Sequence, residues 1–366
     1  MHYQIADFIV TVHDSPHVWH NSVVEYLDRQ CPALKCSQIP HGDYKGIVFL
    51  PFEFTEDNLK IINSSPNEHL VTTDGMYINW ELRIAFKITR EKMLVWIEKP
   101  NFILTFLLHI FTFQHGMIFA HGASFQLGNN VIYISALGGI GKTALTSKIL
   151  SAGGNLLFGD DFLILSRDGR VFPFPQTLCL YSYHADLYRD FIMKAGLTLD
   201  IKERTSQLER IMRKIIKPPK YSNLKYRVFS PDILFGRKKI AQEPKQCSML
   251  FVMRRTSITR PAARFISPEL FAQYVITTTY NEWYRNLKLL FGYLAMHNLS
   301  AETHFAMVTE IVKSFANNCQ SKRIFQIDLP ITCTRNDDLY ENVMNIVEQA
   351  LDGSLKVEIT PDNGAQ

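Results

Sequence analysis

The chain has 366 residues, 46% hydrophobic and 20% charged, with a formal net charge of +4. That length exceeds one ordinary core and suits two domains, and the composition excludes a disordered or fibrous chain. The six cysteines (Cys31, Cys36, Cys179, Cys247, Cys319 and Cys333) are scattered with no C-x-x-C pair, which reads as free thiols in a reducing cytoplasm.

The opening MHYQIADFIV lacks a basic region followed by a long apolar core, so no secretory signal is expected. Residues 3–12 read as a strand, and Ser15-Pro16 starts a helix toward Gln30 with proline at its first position. His13, His17 and His20 are close in sequence, but Pro16 interrupts them and no Cys or carboxylate completes a metal set. Strands are expected at 46–50, 69–73 and 76–80, the last two joined around the hairpin signal Asp74-Gly75, and a further hairpin at 82–88 and 92–97. Residues 1–99 therefore form a mostly β accessory domain. The apolar run 102–113 contains His109 and is too short for a bilayer, so it reads as a buried helix.

Beyond the central motif, 162–166 and 170–172 flank the turn Asp168-Gly169 as a hairpin. Helices are expected at 184–195 and 202–216, and a strand at 248–253 places Arg254 and Arg255 at its carboxyl end, where a phosphate clamp would lie. Helices follow from Ser267-Pro268, over 282–297 and 301–316, then a strand at 323–329 and a closing helix at 336–351. Between Lys202 and Lys239 there are twelve Lys/Arg against three Asp/Glu. This reads as a solvated, basic helical insertion around 200–240 rather than a nucleic-acid contact.

The chemistry gathers in 131–161. Residues 131–135 are a short β-branched strand, and Ala136-Leu-Gly-Gly-Ile-Gly-Lys-Thr143 matches G-x-x-x-x-G-K-[ST] with Ala136 in place of the first glycine. Ala136, Gly138, Gly139, Ile140, Gly141, Lys142, Thr143 and Ala144 are the candidate nucleotide-binding residues. The glycines leave room for backbone N–H groups to face phosphate oxygens, and the following helix brings its positive end to the same place. Lys142 would reach the outer phosphates and the Thr143 hydroxyl would ligate Mg²⁺. Ala136 is tolerable there if its φ stays negative. Residues 155–158 read as the next strand, ending in Gly159-Asp160-Asp161. Two adjacent carboxylates at a strand's carboxyl end can divide the work, one holding metal and one accepting a proton.

Upstream, 117–127 form a strand-like run with His121 before a glycine and an alanine. The order His-Gly-Ala, glycine loop, Gly-Asp-Asp resembles the kinase domain of HPr kinase/phosphorylase and the HPr-kinase-like serine kinases, whose nucleotide core is shared with phosphoenolpyruvate carboxykinase. The resemblance covers roughly 116–181, including Gly169-Arg-Val-Phe-Pro-Phe-Pro175. It implies an α/β (α+β) fold with a P-loop HPr-kinase-like core over 100–366. It also implies ATP and Mg²⁺ as ligands, and a serine-like hydroxyl acceptor on a protein, peptide or small molecule. By that resemblance His121 neighbours the catalytic carboxylate, Asp160 is the candidate base and Asp161 the candidate Mg²⁺ partner. The sequence leaves open which aspartate does which. Relatives often assemble as oligomers, so a homo-oligomer is an expectation too. Nothing resembles the R-G-L-G phosphorylase signature, so phosphorolysis is not expected. The alternative is a nucleotide-binding regulatory or scaffold protein that has lost transfer.

Overall fold

The computed structural model describes residues 1–13, 18–30, 34–36, 45–54, 61–65, 69–72, 75–98, 103–151, 154–181, 189–194, 226–284, 287–331, 337–355 and 357. They form a mixed α/β structure built on two large mixed sheets and one two-stranded ribbon.

The first sheet has nine strands: β1 (His2–Ile5), β2 (Phe8–Val12), β3 (Lys35–Cys36), β4 (Gly46–Pro51), β5 (Ile61–Ser65), β6 (His69–Thr72), β7 (Met76–Asn79), β8 (Ile84–Ile88) and β9 (Lys92–Ile97), in the order β3-β1-β2-β4-β9-β8-β7-β6-β5. The expected single strand over 3–12 is a hairpin instead. Ala6 takes φ 54° and reverses the chain, so β1 pairs antiparallel with β2. Asp7 is the turn-forming residue beside Ala6, with no glycine, proline or asparagine next to it, so the run reads as continuous. The hairpins β6–β7 and β8–β9 form as expected. Helix α1 (Val18–Gln30) and helix α2 (Ile103–Phe113) pack here, and α2 is the apolar run of the sequence, buried from Phe106 to Phe113. Among the described residues no helix is long and apolar enough to cross a membrane.

The second sheet carries the motif. Strands β10 (Met117–Leu127) and β11 (Asn130–Ala136) are antiparallel, and helix α3 (Lys142–Ser151) follows the glycine loop. Next come β12 (Leu156–Ser166) and β13 (Arg170–Phe172). Strand β14 (Leu178–Tyr181), helix α4 (Arg189–Lys194), strand β15 (Tyr226–Phe229) and helix α5 (Pro231–Phe235) lie to one side, β14 and β15 forming the ribbon. The chain then returns through β16 (Lys245–Gln246), β17 (Met249–Thr256), β18 (Ala262–Phe265), α6 (Pro268–Glu282), α7 (Leu287–Met296), α8 (Ala301–Asn317), β19 (Ile324–Pro330) and α9 (Asp337–Asp352). The strand order is β16-β13-β12-β10-β11-β17-β19-β18, with β11, β17 and β19 mutually parallel.

Side chains alternate across this sheet as the pleat requires. Val131, Tyr133, Leu250 and Val252 face α6 and α8 through Phe271, Val275, Val312 and Phe315. Ile132, Ile134, Ala136, Phe251 and Met253 face α3 and α9 through Leu145, Ile149, Val343 and Val347. The loop strand is thus fixed between helical layers. A further apolar cluster joins Phe119, Phe162 and Ile164 to α2, α7 and the nine-stranded sheet.

Three other expectations change. Asp160 and Asp161 do not end a strand, because β12 runs unbroken through both, antiparallel to β10 along its length. Arg254 and Arg255 stand near the carboxyl end of β17 as expected, but Arg254 is bound to Asp328 of the neighbouring β19 and to the Tyr274 hydroxyl at 3.3 Å, so it is committed to structure and not to a phosphate clamp. Glu282 ends α6 and does not begin the next helix, since Trp283 leaves helical geometry and is buried against Phe106 and Phe162. The helix expected at 184–195 is described only as α4, and the one at 202–216, with the basic stretch before Tyr226, lies outside the described residues. So do Ser15-Pro16, His17 and Asp74.

Candidate functional site

The loop between β11 and α3 is open to solvent at Leu137, Gly138 and Gly139, while Ile140 and Ala144 are buried beneath it. Gly139 and Gly141 take φ of 77° and 123°, conformations that demand glycine. Ala136 has no such φ. It is the last residue of β11, buried and paired with Met253 of β17. The Cβ at the first motif position therefore sits in regular strand geometry.

Lys142 opens α3 but folds back inside the loop. Its Nζ donates to the carbonyl oxygens of Ala136 at 2.8 Å and Leu137 at 3.4 Å. Burial lowers its pKa, while the charges of Asp161, Asp160 and Glu282 pull the other way.

The two aspartates occupy different environments. Asp160 is 4% exposed and takes a side-chain hydrogen bond from Thr143, yet its Oδ1 has no partner. Desolvation pushes its pKa up to about 6, against the opposing pull of Lys142 and Thr143. Asp161 adopts φ 110°, a conformation that costs a non-glycine residue about 1–3 kcal/mol. Its side chain is 61% exposed and hydrogen-bonded by His121 Nε2 at 3.1 Å. The surrounding protein still desolvates the carboxyl, which raises its pKa, but the His121 hydrogen bond and the His121 and Lys142 charges outweigh this and hold it below the usual carboxylate range.

His121 is pinned from three sides. Its backbone N–H donates to Thr279 Oγ1 at 2.9 Å, its carbonyl accepts from the Tyr133 hydroxyl at 3.0 Å, and its ring packs on Phe162. Gly122 makes this possible, because a Cβ there would lie 2.6 Å from both the Ile134 carbonyl and the Tyr133 ring. The structure thus gathers Ala136, the loop, Lys142, Thr143, Asp160, Asp161 and His121 in one place.

Helix α6 and the residue after it, Trp283, add side chains that the sequence did not mark. Thr279 holds His121, and Thr278 bonds Ser135 of β11 at 3.1 Å. Trp283 stacks on Phe162 at 5.2 Å and 2°, and Glu282 brings a carboxylate oxygen to 3.4 Å from where a Gly138 Cβ would stand. No local pattern on α6 sets these positions apart.

Among the described residues, no three His, Cys, Asp or Glu side chains form a metal cage. A Mg²⁺ ion here would be held by the Thr143 hydroxyl and the unpartnered Asp160 oxygen, with phosphate oxygens and water completing its shell, which is the way that ion is usually bound. The residues present fit that arrangement. The chain matches no protein-family model and no curated protein.

Proposed function

We propose that this protein is an ATP-dependent phosphotransferase with an HPr-kinase-like P-loop core, acting on a hydroxyl-bearing acceptor in the cytoplasm. The observation that carries the reading is the pairing of buried His121 with exposed Asp161 directly beside a glycine loop that opens onto a helix N-terminus. A His–carboxylate contact is what the resemblance implies.

The loop N–H groups and the α3 N-terminus favour the phosphates. Lys142, already at the inner side of the loop, exchanges its two carbonyl contacts for a phosphate oxygen. A bound Mg²⁺ would neutralise charge on the phosphates, and Thr143 and Asp160 would be the residues holding it. The geometry favours Asp161 over Asp160 as the base. Asp161 is exposed beside the loop, stays ionised and is oriented by His121, so it can accept the acceptor hydroxyl's proton. Asp160 is enclosed beneath the loop on the Thr143 side. This exchanges the roles that the resemblance suggests. Ala136 keeps regular strand geometry and so gives no support to a degenerate loop.

The test is titration calorimetry of Mg²⁺-dependent ATP binding in the wild type and Lys142→Ala, followed by labelled-phosphate transfer in Asp161→Asn and Asp160→Asn. Asp161→Asn should bind ATP and fail in transfer. Full transfer by that variant overturns the base assignment. Binding without transfer to any acceptor in the wild type supports the regulatory alternative.

A further inference from the structure

A cavity of about 820 Å³ lies away from the loop, where the nine-stranded sheet meets the second sheet. It opens at the Met117–Ser166 end of the β10–β12 pair, whereas His121 and Asp161 sit further along the same strands. Five residues of extended strand separate Gly116 from His121, roughly 17 Å. The cavity is not part of the site described above.

Its walls are amphipathic. Phe113, Leu299, Met307 and Ile311 supply an apolar side, and Met307 is left 46% exposed in it. Three cationic side chains come from three separate segments: Lys45 before β4, Arg90 in the β8–β9 turn and Arg167 after β12. Lys45 and Arg90 share Glu91, at 3.8 and 3.9 Å. Arg167 pairs with no carboxylate among the described residues. Its guanidinium lies over Gly116, where a Cβ would stand 2.7 Å from Nε, so the glycine makes room for it. His115 also lines the cavity, and its buried Nε2 has no partner. Glu310 is the one carboxylate among the described lining residues and stands on the α8 side.

We infer that this cavity is a second ligand site, for a small phosphorylated organic molecule. Three cationic side chains from three separate segments suit a tetrahedral dianion better than a planar carboxylate, and Arg167, paired with no carboxylate among the described residues, is the group that gives the anion its anchor. The volume far exceeds a phosphate, so the rest of the ligand lies along the apolar wall, with Glu310 placed to accept a ligand hydroxyl. The inference does not depend on the loop's being a nucleotide site.

The experiment is a ³¹P NMR titration of the full chain with inorganic phosphate, the chemistry common to all such ligands. The wild type is compared with Arg167→Gln, Lys45→Gln and Lys142→Ala, each checked for native circular dichroism. Binding is expected in the wild type, weakened about tenfold by Arg167→Gln and weakened less by Lys45→Gln. No binding by the wild type overturns the site. Equal binding by the wild type, Arg167→Gln and Lys45→Gln overturns it too. Loss in Lys142→Ala with retention in Arg167→Gln assigns the phosphate to the loop and overturns it as well.

Discussion

His121 Nε2 lies 3.1 Å from Asp161 Oδ1, joining a side chain that is 2% exposed to one that is 61% exposed. The His121 backbone is fixed by Thr279 and Tyr133 and its buried ring packs on Phe162, so the exposed carboxylate inherits a defined position. Replacing His121 with alanine frees Asp161 and removes the contact that lowers its pKa. Transfer is expected to fall about 10- to 100-fold, as for other residues that orient a reacting group, while ATP affinity changes little. Single-turnover transfer beside calorimetric binding separates the two effects.

Asp160 makes the ligand-free site sensitive to pH. Its folded pKa of about 6 lies above the ordinary 3.8, chiefly through desolvation. Between those values the folded protein holds more protons than the unfolded chain. This carboxyl therefore destabilises the protein above pH 6, and the penalty fades as the pH falls toward 4. Asp160→Asn should stabilise the ligand-free protein by about 1–3 kcal/mol at about pH 8 and converge on the wild type near pH 4. Urea unfolding midpoints at the two pH values test this. A difference that does not vary with pH would show that Asp160 is not strained by its charge.

Gly122 is expected to tolerate no side chain. A Cβ there meets the Ile134 carbonyl and the Tyr133 ring at 2.6 Å, both within the sheet that holds the loop. Gly122→Ala should destabilise the protein by about 1–3 kcal/mol, the usual cost of overpacking a tight core. The same strain would loosen the Tyr133–His121 bond, so transfer should fall with stability. Denaturant unfolding gives the first effect and kinetics at low temperature the second.

How much of this was legible depended on how far apart in the chain the partners stand. The glycine loop, Lys142, Thr143 and the aspartate pair lie within some 30 residues, and the turn-forming glycines and apolar flanks there follow local rules. His121 stands just upstream on the adjacent strand. Thr278, Thr279, Glu282 and Trp283 lie more than a hundred residues on, and only the packing of α6 across β10 and β11 brings them in. The apolar spacing continues across Trp283, so Glu282 reads as part of the following helix, whereas Trp283 leaves helical geometry after α6. The aspartates read as a strand end because Gly159 suggests a break. The chain instead absorbs the irregularity inside β12, through a register shift near Phe125 and the positive φ of Asp161.

Ala136 offers a direct test of the departure from the usual motif. Its φ is not positive, and its methyl group is packed against the α3 and α9 layer. Ala136→Gly would restore the common first glycine, yet it should cost about 0.5–1 kcal/mol of stability and leave ATP affinity within about twofold. A large gain in affinity would mean that the methyl group obstructs the nucleotide.

Glu282 sets the charge of the loop's outer face. Its Oε1 stands 3.4 Å from the Gly138 Cβ position, and its charge is felt by Lys142. Together with Asp160 and Asp161 it leaves the loop with more negative than positive charge before any cation arrives, so a nucleotide without metal meets repulsion. Glu282→Gln should strengthen metal-free ATP binding about 3- to 10-fold, and the gain should shrink at high salt because the residue is exposed. Binding measured in chelator at two salt concentrations gives the answer. If affinity instead falls, Glu282 contacts the nucleotide itself, and its place at the end of α6 makes it a ligand-holding residue rather than an electrostatic gate.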